Sequence, residues 1–278
     1  MNVAVDFNKE KHQYTKQGLI YTSVTKIVSS FCHPFDGEYW SLYKAIKDIT
    51  IQEKGEVGWI RHKRLVGGWK SVVDYYKKNG SLSNKAIQTR KAEYLQSWDV
   101  TGHNARTVGT AVHNAREQEL TKKKTALSES GDSVVLEVTQ GQLLSTQDFK
   151  SNRIYPELII SNDEFQVAGT SDKVEKIGQL VHVSDYKTSK EIEKEAFDNQ
   201  MMFPPVNLPD CNFYHYTMQL SLYGWMLQEQ GYKVGKLTIE QLFAPKFEKK
   251  DVKFHDLPYR PDLVRPMLEE YRRKNPVK

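Results

Sequence analysis

The dipeptide Gly178-Gln179 divides an alternating stretch into two strand-like halves, Phe165–Ile177 and Leu180–Thr188. Glycine at the first central position suits a two-residue type II′ hairpin turn. Such a turn pairs Ile177 with Leu180 and, because side chains alternate with a period of two, fixes every opposition further along. Asp172 then faces Asp185. Cross-strand partners lie about 4.5–5.5 Å apart at Cβ, where two like charges repel unless a cation stands between them. Val174, Val181 and Val183 share the face of the two aspartates, which turns it inward, and Lys187 joins it two residues beyond Asp185. A lone Asp-x-Lys on a strand is ordinarily a solvated pair. Opposite a second aspartate and beside three valines, it describes a divalent-metal site suited to phosphodiester cleavage.

Other motifs stand around this pair in a fixed order. Gly109-Thr-Ala-Val-His113 and Tyr155-Pro-Glu157 precede Gly169-Thr-Ser-Asp172, and Gln219-Leu-Ser-Leu-Tyr223 follows Asp185-Tyr-Lys187. Together they resemble the RecB-like branch of the PD-(D/E)XK nuclease superfamily, whose pattern runs G-x-x-x-H, a Glu, G-x-x-D, D/E-x-K and Q-x-x-x-Y. The resemblance covers residues 105–245, about half the chain. Tyr21-Thr-Ser-Val-Thr25 also looks like the opening of the mitochondrial genome maintenance exonuclease type and its viral and bacterial relatives.

The resemblance implies an α/β (α+β) fold: a restriction-endonuclease-like core with a mixed central sheet flanked by helices. It implies magnesium, or manganese in its place, with Asp172, Asp185, the His113 imidazole and the Tyr186 backbone carbonyl as ligands. Imidazole is softer than carboxylate and suits manganese as well as magnesium. Lys187 would orient or deprotonate the attacking water, or stabilise the transition state, and the sequence leaves these three open. Glu157 is either a supporting carboxylate or a structural one. A turn at Asn162-Asp163 would pair it with Ala168, roughly 13 Å along the strand from Asp172. Gln219 and Tyr223, one helical turn apart, are expected to line the centre and contact nucleic acid.

Residues 61–91 carry nine Lys or Arg against a single acid, Asp74, interleaved from Trp59 onward with Trp69, Tyr75 and Tyr76. Lysines neutralise phosphates, and aromatic rings stack on unpaired bases at roughly 1–3 kcal/mol each. Lys63, Arg64, Lys70, Lys77 and Lys78 are the candidate phosphate contacts, with Trp69 or Tyr76 as a stacking platform. The alternative is a solvated helical face whose aromatics turn to the core. Helices are expected at 37–50, 56–79, 83–99 (capped by Ser83) and 108–123, then at Phe213–Gln230 and Pro261–Arg273. Strands are expected at 134–138, Ile154–Ser161 and Lys236–Phe243. The polar, proline-rich stretch 189–212 reads as an excursion, a candidate flap. The expected division is a strand-like segment with a helical lobe at 1–104 and a nuclease core at 105–278.

Two cysteines, Cys32 and Cys211, exclude a disulfide framework and a four-cysteine iron–sulfur cluster. No secretion signal or membrane-length apolar run occurs, so an intracellular, cytoplasmic protein (in a host cytoplasm if viral) is expected. The implied activity is a metal-dependent DNA exonuclease or flap-trimming nuclease on single-stranded or free ends, serving replication, recombination or repair, with proteins of those processes as partners. Endonuclease action and a catalytically silent DNA-binding protein are the alternatives.

Overall fold

The computed structural model describes residues 4–120, 124–127, 131–138, 149–196, 199–243 and 252–276, with the side chains of 114, 117–119 and 124–127 outside the description. The chain forms two compact units, Pro34–Val108 and a second made of Met1–His33 with Gly109–Lys278. The first 33 residues therefore belong with the core, not with a helical lobe at 1–104. The cause is a strand pairing across the sequence. β1 (Asp6–Asn8), β2 (Gln13–Lys16) and β3 (Leu19–Ser23) form an antiparallel ribbon, and β3 then pairs in parallel with a strand that begins at Val167. Ser23 caps α1 (Val24–Ser29) by accepting the Lys26 N–H, and Val24, Ile27 and Val28 are buried along it.

The unit 34–108 is helical. α2 (Gly37–Leu65) bends at Gly55, which takes φ 70°, and stops before Gly67 and Gly68 at φ 92° and 96°. The expected helix 56–79 is thus two helices, because consecutive glycines in the left-handed region cannot carry the ladder on. A 3-10 turn at Trp69–Ser71 leads into α3 (Val72–Lys78). The expected helices 83–99 and 108–123 are one, α4 (Lys85–Glu119), whose residues from Gly109 onward count with the core unit. No proline interrupts it, and the Thr101 and Thr107 hydroxyls donate back to the Ser97 and His103 carbonyls inside it. Asn84, not Ser83, caps it, accepting the Ala86 N–H at 2.8 Å. Ala45, Ile46, Trp59, Val72, Val73 and Ile87 give this unit its own core.

The core unit is a mixed β-sheet flanked by helices. β4 (Lys124–Leu127) and β5 (Ser133–Val138) lie at one side, followed by β6 (Arg153–Asn162), β7 (Val167–Ile177) and β8 (Leu180–Lys187) as an antiparallel meander. The hairpin turns at Gly178 (φ 59°) and pairs Ile177 with Leu180, as expected. After α5 (Asn212–Glu229), β9 (Lys233–Leu242) adds in parallel to β8, and β10 (Val252–Leu257) pairs antiparallel with β9. α6 (Pro261–Lys274) closes the chain, burying Val264, Met267 and Leu268 at helical spacing.

α5 packs on the face of Val174, Val181 and Val183, where Met218, Leu222 and Met226 join the main core. On the opposite face Val112 of α4 meets Tyr186 and Leu242. That face also holds a buried charge group, Lys173 with Glu240 and, at 3.5 Å, Glu175. The stretch 189–212 is not free as a flap. Met201 and Leu208 are buried in the core, and the Met202 N–H donates to the Phe31 carbonyl at 2.7 Å.

Candidate metal centre

β7 shares one edge between two strands that diverge. β3 holds it at Val167 and Ala168, and β8 holds it from Lys173 to Ile177. Gly169–Asp172 lie between, and among the described residues no strand pairs with them on that side. Tyr223 from α5 fills the opening, and its hydroxyl donates to the Thr170 carbonyl at 3.0 Å. A buried carbonyl without a donor is costly, so the phenol stands in for the missing strand. Glycine at 169 is what lets the ring in, because a β-carbon there would sit 2.7 Å from Tyr223 Cε1. Tyr14 adds a hydroxyl contact to Thr170 Oγ1 at 3.0 Å.

At the end of this opening Asp172 is gripped from two sides. Its Oδ2 accepts the Tyr186 N–H at 2.6 Å, and its Oδ1 lies 3.2 Å from His113 Nδ1 on α4. Asp185 is buried beside it, its Oδ1 accepting from Gln219 Nε2 at 3.3 Å and its Oδ2 from the Lys187 ammonium. Lys187 in turn lies over the Tyr216 ring, 5.0 Å from its centre.

Glu157 is placed differently from the sequence expectation. The β6–β7 turn spans Asp163–Gln166, where Asn162 Oδ1 accepts the Phe165 N–H and Gln166 adopts φ 52°. Asn162 therefore pairs with Val167, Leu158 with Ser171 and Pro156 with Lys173. Glu157 falls opposite Asp172, not Ala168, and it breaks the ladder there with φ 49°. The turn is two residues longer than expected and centred two residues later, which shifts each β6 partner by four. Donor atoms of His113, Glu157 and Asp172 consequently lie within 4.8 Å of one another. An imidazole and two carboxylates at that separation are a donor set for a hard or borderline divalent ion.

The electrostatics agree with that chemistry. Burial, and then the charge of Asp172, push the Asp185 carboxyl up to about 6, against the pull of Lys187 and His113. Burial works against charge on His113, yet the Asp172 hydrogen bond and the two aspartates outweigh it and raise its pKa. The same balance raises Lys187, where Asp185 and Asp172 overcome desolvation and keep the ammonium charged. The two carboxylates thus draw in positive charge from every neighbour able to carry it.

These residues line a cleft of about 540 Å³, which also takes in Lys9 and His12 from the β1–β2 turn and Thr25 at the start of α1. Sequence reading missed Lys9, His12 and Tyr14, since nothing in a short turn-rich segment tells which strand it will join. Tyr223 lines the cleft as a largely buried wall, 2% exposed, with its hydroxyl on the Thr170 carbonyl. Gln219 holds Asp185. The Glu117 side chain lies outside the described residues.

Lys63, Arg64, Lys70, Lys77 and Lys78 belong to the unit 34–108, all exposed except Lys63, which is partly covered. The aromatic residues among them mostly pack inward. Trp59 is buried, Tyr76 lies against the helical core, and Trp69 stacks on Trp40 with centroids 5.4 Å apart. Neither Trp69 nor Tyr76 is therefore an open stacking platform. Tyr75 remains 45% exposed.

No family model matches the chain, and no curated protein matches it. Two solved structures are similar over most of its length. One, a candidate exonuclease from Eubacterium rectale, is 9% identical with a TM-score of 0.31, the match covering 91% of this chain and 79% of that one. The other, SSO0001, is 12% identical with a TM-score of 0.26, covering 92% and 85%. At these scores neither likeness decides the chemistry. Among the described residues no helix is long and apolar enough to cross a membrane.

Proposed function

We propose that the protein is a divalent-metal-dependent nuclease of the PD-(D/E)XK type that hydrolyses DNA at free or single-stranded ends. The observation that carries this reading is the meeting of His113, Glu157 and Asp172 donors beside a buried Asp185–Lys187 pair in one cleft. Asp172, Asp185, Glu157 and His113, with the Tyr186 carbonyl, would hold magnesium or manganese. The bound ion would neutralise charge on the phosphoryl group and activate water.

The chain's own groups have separable tasks. The Tyr186 N–H and His113 fix the two oxygens of Asp172, while Gln219 sets the plane of Asp185. Lys187, held charged, suits a donor to the scissile phosphate or to the water better than a base. The exposed Arg64, Lys70, Lys77 and Lys78 supply phosphate contacts on the helical unit. Replication, recombination and repair are the settings in which free ends arise.

The deciding experiment incubates linear and circular single-stranded DNA with the protein in magnesium, manganese or EDTA. Cleavage of linear DNA alone, lost in EDTA and in Lys187→Ala while that variant still binds manganese, is the expected result. Cleavage of circles would assign an endonuclease. Retention of DNA without cleavage in either metal would refute the enzyme.

A further inference from the structure

We infer that Cys32, Asp210 and His215 form a second metal site, for zinc or a similar borderline-soft divalent ion, where the end of α1 meets the start of α5. Their donor atoms all lie within 4.8 Å of one another, and none of the three lines the cleft described above. They come from distant parts of the sequence. Cys32 follows α1, Asp210 precedes α5, and His215 stands in its first turn. Cys32 and His215 are partly exposed, while the Asp210 side chain is only 5% exposed, so an ion would enter past the thiol and the imidazole.

The donors are already oriented. Asp210 Oδ2 accepts the His33 N–H at 2.7 Å, which turns Oδ1 toward His215 Nε2 at 2.5 Å. The Cys32 thiol donates to the Val28 carbonyl at 3.3 Å. Zinc bonds of about 2.0–2.3 Å at tetrahedral angles place ligand atoms ~3.3–3.6 Å apart. The site therefore needs the Asp210–His215 contact to open by under ~1 Å. One thiolate, one imidazole and one carboxylate are the mixture zinc accepts, and three protein ligands leave a fourth position open.

On metal entry the Cys32 thiol loses its proton to solvent and the sulfur bonds the ion. Two cysteines cannot build an iron–sulfur cluster, but one suffices here. The ion would bolt α1, whose first residues adjoin the β3–β7 pairing, to the helix that carries Gln219 and Tyr223.

Cobalt(II) is the probe, because its thiolate complexes show a ligand-to-metal charge-transfer band that carboxylate and imidazole sites lack. The full-length, metal-free protein titrated with cobalt should develop that band to one equivalent, and zinc should bleach it. Cys32→Ser should abolish the band, and His215→Gln should weaken cobalt affinity by more than about tenfold while circular dichroism stays unchanged. Asp185→Asn should leave the band intact, which separates this site from the nuclease centre. Absence of the band in the folded protein, its persistence in Cys32→Ser, or its loss in Asp185→Asn would each overturn the assignment.

Discussion

Replacing Gly169 with alanine isolates the contact that keeps the edge of β7 open beside the carboxylates. A β-carbon at 169 would stand 2.7 Å from Tyr223 Cε1, 2.9 Å from its hydroxyl and 3.1 Å from Val24 Cβ. Non-bonded carbons settle at about 3.5–4.0 Å, so the ring must withdraw by close to ~1 Å. Tyr223 is only 2% exposed, and withdrawal breaks its hydrogen bond to the Thr170 carbonyl. Overpacking costs about 1–3 kcal/mol, and leaving the carbonyl and phenol unpaired about 1–3 more. Against these stands a gain of about 0.4–1 kcal/mol from stiffening the unfolded chain.

The net expectation is a loss of ~2–4 kcal/mol for Gly169→Ala. In a Tyr223→Leu background the two nearest atoms are gone and the closest remaining contact is Val24 Cβ at 3.1 Å, so the same change should cost under ~1 kcal/mol. Urea denaturation of the four proteins closes the cycle. Costs that simply add, or a Gly169→Ala variant as stable as wild type, would refute the role given to the ring.

Asp185→Asn should stabilise the metal-free protein by on the order of 1–3 kcal/mol, because burial and Asp172 already push that carboxyl up to about 6. Calorimetry should show weakened manganese binding, and unchanged affinity would remove Asp185 from the ligands. Lys77→Ala with Lys78→Ala should flatten the salt dependence of single-stranded DNA binding by up to about two contacts, each ~0.7 in the log–log slope. Identical slopes would move the DNA path elsewhere. His182 is lowered by burial and by Lys236 and Lys173 against Glu175, and its Nδ1 accepts the Lys236 N–H at 2.9 Å. Its contribution is present above about pH 6.5, the unfolded value, and is lost as pH falls, with a slope of at most ~1.4 kcal/mol per pH unit. His182→Gln should flatten stability between neutral and mildly acid pH, and an unaltered slope would show that His182 does not drive it.

Local chemistry made the centre of the fold readable. The Gly178-Gln179 turn fixed the β7–β8 register, and the alternation around it put the valines on the face that α5 covers. Glu157 was misplaced because its register depends on the β6–β7 turn, where Asn162 caps the loop and Gln166 adopts a left-handed backbone that no strong turn dipeptide announces. The expected helices stop at 99 and resume at 108, yet α4 runs through Val100–Thr107, where no proline breaks it and the polar residues are compatible with a helix. β10 went unseen although Val252, Phe254 and Asp256 alternate with Lys253, His255 and Leu257, since neither set is uniformly apolar. The juxtaposition of Cys32 with Asp210 and His215 is purely tertiary. No spacing in the chain encodes it.

The parallel pairing of Thr22 and Ser23 with Val167 and Ala168 has a consequence for synthesis on the ribosome. Chains emerge from the N-terminus, and units fold as they become complete. The helical unit has all of its core once Ile87 has appeared. The β1–β3 ribbon has emerged earlier but has no sheet to join until β7 follows, and a small isolated ribbon is marginal in water. During that interval β3 presents an unpaired edge, with Leu19 and Ile20 still more than half exposed in the finished fold. A nascent chain arrested between the helical unit and β7 is therefore the species most open to misassociation, while release beyond Ala168 gives that edge its partner.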